Sequence, residues 1–218
     1  MAICRGLDLF SDHEVRHEPE PRLLEEAFLK HTGRGFRSRA FEDRLRFFRD
    51  RAGDRYGESF RAAPLLPDIR AAVPETRFLI IVRPPLEYVL SAHFMRVFRR
   101  GDEWDRSRIV PIDLSLEQLS LAEKIAYHWL ELNRYLLDFA EGSSETTRVA
   151  LMRRLEDGVD DWAEHLGVTI SDPTGLRALL ATSPNASTTF EQPTGFDEER
   201  LSELCEPTWE RAAALASR

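Results

Sequence analysis

The sequence predicts an α/β protein, organised as a single domain over residues 1–218, with a mainly parallel sheet flanked by helices. Short apolar segments that suit strands alternate with longer segments whose apolar residues recur at helical spacing. The strongest strand signal is the apolar run Phe78–Val82 between two helical segments, which is typical of a parallel strand buried on both faces. The chain contains no internal repeat and no linker-like composition, and its length is sufficient for a substantial core.

Helices are predicted where apolar residues recur three and four positions apart between Gly and Pro residues that end them. In chain order they run from residue 2 through Phe10, Arg22–His31, Phe36–Arg51, Leu65–Val73, Pro85 to near Arg100, Ser115 to near Gly142, Leu155–Leu166, Leu176–Ala181 and Asp197–Ala216. The predicted strands are His13–Glu18, Arg55–Phe60, Arg77–Arg83 and Thr147–Met152. Two polar loops remain, Gly101–Pro111, which could act as a lid, and Ser183–Phe196.

Composition and charge exclude several classes of protein. The formal net charge of −8 disfavours nucleic acid as a partner, because binding to a phosphate backbone needs a basic face. The two cysteines, Cys4 and Cys205, lack metal-ligand spacing, so we expect reduced thiols and no structural zinc site. No apolar run approaches the ~18 residues of a membrane span, and the N-terminus lacks a secretory signal. We therefore expect a cytoplasmic protein without a membrane partner.

A candidate anion site follows the strand Arg77–Arg83. Ligands of open α/β sheets bind beyond the carboxyl ends of the strands, where Arg83 stands. A guanidinium at that edge is a natural two-pronged donor to a phosphate. Ser91, about two turns into the next helix and on the same line as Glu87, could contact the same anion. The alternative is that Arg83 pairs with an acidic neighbour and Ser91 only packs.

The segment that contains these residues resembles the 3′-phosphate-binding segment of sulfotransferases that use 3′-phosphoadenylyl sulfate (PAPS), in particular bacterial and carbohydrate-type members. Residues of this sequence at the offsets of that family motif are Pro74, Arg77, Phe78, Arg83, Pro85 and Ser91. The resemblance implies that Arg83 and Ser91 bind the 3′-phosphate. Further segments that resemble family motifs, in the family's order, are Tyr56–Ser59, Val149–Asp157 with Leu166–Gly167, and Pro184–Ser187.

The resemblance implies a P-loop-NTPase-like parallel sheet and transfer of a sulfuryl group from PAPS to a hydroxyl or amine. PAPS would be the co-substrate, no metal would be needed, and the acceptor would be a small molecule or a carbohydrate. The family's 5′-phosphosulfate loop precedes the first helix, whereas Ile3–Leu7 resembles the middle of that helix. The first strand and the phosphate loop are therefore expected to be missing, and this truncated form is expected to be poorly stable or to self-associate.

Two explanations of this N-terminal difference stand. Either the native chain begins earlier, or the protein is a degenerate relative that does not hold PAPS properly. The alternative function is accordingly a non-catalytic remnant that binds a nucleotide or a protein partner.

Candidates for the catalytic base come from two predicted strand ends. The run Arg16-His17-Glu18-Pro19 resembles the block of carbohydrate-type sulfotransferases whose glutamate is the base, which implies that role for Glu18. His17 is another candidate, because a histidine serves as base in cytosolic family members. Glu58, which also ends a predicted strand near the crevice, is the second choice after Glu18. The opposing interpretation of Glu18 is an exposed, solvated acidic turn.

Overall fold

The computed structural model describes residues 2–17, 23–34, 38–59, 62–99, 108–182 and 191–218. The helices are α1 (Ala2–Phe10), α2 (Leu23–His31), α3 (Arg39–Asp50), α4 (Leu66–Ala72), α5 (Pro85–Phe94), α6 (Leu121–Glu141), α7 (Val159–Leu166), α8 (Pro173–Ala181) and α9 (Glu198–Ala216). The strands are β1 (Glu14–His17), β2 (Tyr56–Ser59), β3 (Phe78–Val82) and β4 (Thr147–Leu151). One-turn 3-10 helices lie at Ala63–Leu65, Leu116–Gln118 and Met152–Arg154. Of the helices described, none is long and apolar enough to span a bilayer.

The strands pair in parallel, in two separate sheets. β1 pairs with β2 so that His17 lies opposite Ser59, and β3 pairs with β4 so that Val82 lies opposite Leu151. The predicted α/β class and the parallel pairing are therefore confirmed. The prediction of one continuous sheet differs from the structure, because the described strands form two two-stranded sheets that share no ladder.

Helices cover both faces of the β3–β4 sheet. Successive side chains of a strand point to opposite faces, and the apolar run of β3 therefore supplies both. One face packs into a core cluster with α5, α6 and α9 through Ile80, Val82 and Val149. The other face packs against α1, α7 and α8 through Leu79, Ile81 and Ala150. The predicted strand between helices is thus confirmed, with Ile80 and Val82 buried on one face and Leu79 and Ile81 half-buried on the other. Val15 of β1 packs against the second cluster as well.

The amino ends of β1 and β3 both contact the C-terminal part of α7 and the residues after it. Arg77, just before β3, donates from Nη1 to the carbonyl oxygen of His165 at 2.7 Å. The backbone N–H of Thr169 donates to Oδ1 of Asp12, just before β1, at 3.3 Å. The last turn of α7 and the residues directly after it therefore contact the amino ends of both β3 and β1.

Several helix boundaries differ from the predictions for local reasons. α5 ends at Phe94 rather than near Arg100, since Arg96 and Phe98 adopt positive φ angles of 59° and 63°, which interrupt a right-handed helix. α7 begins at Val159 rather than Leu155, because a 3-10 turn follows β4 and the indole N–H of Trp162 donates to the Leu155 carbonyl oxygen.

The long helix α6 begins at a capping box. The Ser120 hydroxyl accepts from the backbone N–H of Glu123 at 3.2 Å, and the Glu123 carboxylate accepts from the backbone N–H of Ser120 at 2.9 Å. The sequence holds two such signals in succession, Ser115 with Gln118 and Ser120 with Glu123. The first produces only the 3-10 turn Leu116–Gln118, so the predicted start at Ser115 is wrong by six residues.

The first prediction compares these two serines. Ser120→Ala removes a helix cap and should lower the free energy of unfolding by about 1 kcal/mol. Ser115→Ala is the matched control, because the Ser115 side chain makes no cap hydrogen bond. Urea unfolding of both variants measures the difference, and equal effects at the two positions would contradict the role of the capping box.

Candidate functional site

Arg83 follows β3 directly and lies at the carboxyl edge of the β3–β4 sheet. Its Nε donates to Sδ of Met152, the residue after β4, at 3.1 Å. Thioether sulfur is a weak acceptor, so this contact orients the side chain without neutralising it. Within the described ranges no carboxylate lies close enough to Arg83 to form an ion pair. The half-buried guanidinium therefore keeps its charge available for an anion at this edge.

The backbone of Arg83 is held from the core. The indole N–H of Trp129 donates to the Arg83 carbonyl oxygen at 3.0 Å. Trp129 is 1% exposed and lies on α6, inside the core cluster that covers one face of β3. A rigid, buried donor thus fixes the point at which the chain leaves β3 and turns into α5.

Ser91 lies in the second turn of α5 and is half-buried. Its carbonyl oxygen accepts from the backbone N–H of Met95 at 3.0 Å. In the part of the chain that the structure describes, its hydroxyl has no hydrogen-bond partner. The Ser91 hydroxyl is thus available to a ligand.

A second arginine joins α5 to the turn after β4. Arg153 Nη2 lies 2.5 Å from Glu87 Oε1, in the first turn of α5. Because Met152 contacts Arg83 and the next residue contacts Glu87, one short 3-10 turn touches both the end of β3 and the start of α5.

His17 ends β1 at the carboxyl edge of the other sheet. Its Nδ1 lies 3.3 Å from the Ser59 hydroxyl oxygen, across the parallel pair, and the imidazole is exposed. A neutral histidine nitrogen at a strand end is a chemically competent proton acceptor.

Glu58, one residue earlier on β2, is in a different environment. Its side chain is 4% exposed, forms an ion pair with Arg44 of α3 and accepts a hydrogen bond from the Tyr56 hydroxyl. Its second oxygen, Oε2, is buried without a hydrogen-bond partner. Burial raises the pKa of the Tyr56 hydroxyl, which keeps the phenol protonated as a donor to Glu58.

Two buried histidines hold the C-terminal end of the polar loop Gly101–Pro111. His128 Nδ1 donates to the Ile109 carbonyl oxygen at 2.7 Å, and His31 Nε2 donates to the Val110 carbonyl oxygen at 2.6 Å. Side chains of α2 and α6 therefore fix the C-terminal end of this loop.

Some sequence predictions lie outside the described residues. These are Glu18, residues 101–107 of the loop Gly101–Pro111, and the segment Pro184–Ser187. In the described ranges, no group of three or more His, Cys, Asp or Glu side chains is placed to hold a metal ion.

Sequence reasoning missed the partners that hold the site: Trp129 for the Arg83 backbone, Met152 for the Arg83 side chain, Arg44 for Glu58, and Arg153 for Glu87. No local spacing signals these pairs, since most join residues far apart in the chain. The one usable signal was the run Met152–Arg154, which places charge directly after a strand, at the edge where Arg83 also stands.

The chain was compared with protein-family models, curated proteins and solved structures, and none of them matches it.

Proposed function

We propose that the protein is a sulfotransferase that moves a sulfuryl group from PAPS to a hydroxyl or amine of a small-molecule or carbohydrate acceptor. The observation that carries the proposal is Arg83, a guanidinium without a carboxylate partner among the described residues, at the carboxyl end of a parallel strand packed on both faces by helices. The resemblance of Pro74–Ser91 to the 3′-phosphate segment of the family supplies the identity of the anion.

The same residues suit a phosphate monoester. The two terminal nitrogens of Arg83 can bind two phosphate oxygens in parallel, which gives both charge and geometric fit. The hydroxyl of Ser91 supplies a further donor from α5. Trp129 and Met152 would hold the arginine in place before the nucleotide arrives, which reduces the entropy lost on binding.

We further propose that the strands belong to a P-loop-NTPase-like sheet. Two observations support this. The strands pair in parallel as β1–β2 and β3–β4, and the amino ends of β3 and β1 contact the last turn of α7 and the residues directly after it.

The proposed reaction needs one base and one anion site. The acceptor oxygen or nitrogen forms a new bond to the sulfur of PAPS, and the bond between that sulfur and the bridging phosphate oxygen breaks. The acceptor proton passes to a base on the enzyme, and the electron pair of the broken bond leaves on adenosine 3′,5′-bisphosphate. Arg83 would orient the donor by its 3′-phosphate, which is remote from the bond that breaks.

We place the base at the end of β1. Glu18 is the first candidate. His17, the residue before it, is also a candidate, and its imidazole is exposed at the end of β1. Glu58 is the second choice after Glu18. One of its oxygens is already bound by Arg44 and Tyr56, so only the free Oε2 could take the acceptor proton.

Binding of two related nucleotides tests the anion site. Adenosine 3′,5′-bisphosphate should bind at least about tenfold more tightly than adenosine 5′-monophosphate, because only the first carries the phosphate assigned to Arg83. Isothermal titration calorimetry measures both affinities. Equal affinities, or no affinity for either nucleotide, would contradict the proposed site.

Transfer of radiolabelled sulfate from PAPS to a panel of hydroxyl and amine acceptors tests the activity itself. Label in a product, lost in His17→Ala and Glu18→Gln, would support the enzyme. Tight binding of the bisphosphate with no transfer to any acceptor would favour the alternative, a nucleotide-binding protein without catalysis.

A further inference from the structure

We infer that Arg153 is a positioning residue of the nucleotide site, which neutralises Glu87 so that an anion can bind beside Ser91. The inference rests on the proposed function, because it concerns the phosphate assigned to Arg83 and Ser91. One contact carries it, the ion pair between Arg153 Nη2 and Glu87 Oε1 at 2.5 Å.

Without a partner, the Glu87 carboxylate would repel an anion bound at Ser91. It lies four residues before Ser91 on α5, so the two side chains share one face of the helix, with Cβ atoms about 5–6 Å apart. A carboxylate in the first turn favours the helix because of its dipole. The same carboxylate opposes any phosphate that approaches the Ser91 hydroxyl.

Arg153 is placed to cancel that charge. It belongs to the 3-10 turn that follows β4, and Leu151 at the end of β4 lies opposite Val82, the residue before Arg83. The turn therefore lies at the edge where the anion is expected. With Glu87 paired to Arg153, the charge of Arg83 remains uncompensated there.

Stability does not account for this ion pair. The side chains of Arg153 and Glu87 are 68% and 40% exposed, and ion pairs this exposed contribute little to folding. Removing Arg153 should therefore leave the fold intact while restoring the negative charge of Glu87 near the nucleotide. Such a variant separates an electrostatic role from a structural one.

A double-mutant cycle tests the inference by calorimetry with adenosine 3′,5′-bisphosphate at low salt. Arg153→Ala should weaken binding about fivefold, Glu87→Gln should leave it unchanged or tighten it, and the double variant should return to within about twofold of the wild type. Arg211→Ala is the charge-matched control, because Arg211 pairs with Glu141 at the distant end of α6. Its affinity should equal that of the wild type.

Three results would overturn the inference. A double variant as weak as Arg153→Ala would mean that Arg153 contacts the nucleotide directly. Unchanged affinity in Arg153→Ala, while the wild type binds, would reduce the pair to a surface contact and leave the proposed function standing. Absence of wild-type binding would remove the proposed function and this inference together. The melting temperature of each variant should be close to that of the wild type, because exposed ion pairs contribute little to the free energy of unfolding.

Discussion

Arg83→Ala should weaken the binding of adenosine 3′,5′-bisphosphate by roughly 10- to 100-fold, which corresponds to the loss of charged hydrogen bonds worth ~1.5–3 kcal/mol. The binding of adenosine 5′-monophosphate should change little, because that ligand lacks the phosphate assigned to Arg83. The variant should therefore bind the two nucleotides almost equally. This ligand comparison isolates the 3′-phosphate from every other contact of the nucleotide.

Arg77→Ala is the matched control for that result. Arg77 precedes the same strand that Arg83 follows, and its guanidinium donates to backbone carbonyls at the opposite end of the sheet. Both variants remove one positive charge. The charge removed at Arg77 lies one length of β3 away from the expected anion, whereas the charge removed at Arg83 lies beside it. Arg83→Lys adds a second comparison, because lysine keeps the charge without the planar two-pronged geometry. A loss as large in Arg77→Ala as in Arg83→Ala would indicate that net charge alone governs binding.

Trp129→Ala should lower the free energy of unfolding by ~3–5 kcal/mol, a large part of the 5–15 kcal/mol typical of a folded domain. The indole is 1% exposed and lies in the core cluster formed by β3, β4, α5, α6 and α9. Its removal leaves a cavity that rigid neighbours on several elements cannot fill. Equilibrium unfolding in urea measures the loss, and a change below about 1 kcal/mol would contradict the structural role.

Trp129→Phe separates the hydrogen bond from the packing. Phenylalanine keeps most of the apolar ring but cannot donate to the carbonyl oxygen of Arg83. The expected cost is about 1–3 kcal/mol, because that oxygen loses its donor in a partly buried place. Leu9→Ala is a suitable control, since Leu9 is 58% exposed and its truncation should change stability by less than about 0.5 kcal/mol.

The features of the fold that could be predicted are those that neighbouring residues in the sequence determine. The apolar run of β3 required burial on both faces, and the structure places helices on both. The last helix was predicted to start at Asp197, and the structure shows Asp197 as its N-cap, with the carboxylate accepting from the backbone N–H of Arg200 at 3.1 Å. Where two local signals competed, as at Ser115 and Ser120, periodicity could not choose between them. The structure chooses Ser120, which makes both capping-box hydrogen bonds with Glu123, whereas the Ser115 side chain makes none.

The candidate site divides in the same way. Arg83 at a strand end and Ser91 on the next helix follow from spacing within one short segment, because a strand end and a helix face are set by neighbouring residues. The environment of Glu58 does not follow from its spacing. Arg44, fourteen positions earlier, covers it from α3, and only the packing of α3 against β2 creates that contact.

The sequence alone determined the alternation of helices and strands, the burial of β3 and the position of an arginine at its carboxyl end. Each of these depends on backbone periodicity and turn chemistry within a few residues. The tertiary structure alone decided that the described strands form two sheets, that Trp129 holds the Arg83 carbonyl and that Arg153 pairs with Glu87. These contacts join residues separated by 46 and 66 positions, and no local preference specifies which distant side chains meet once the chain has packed.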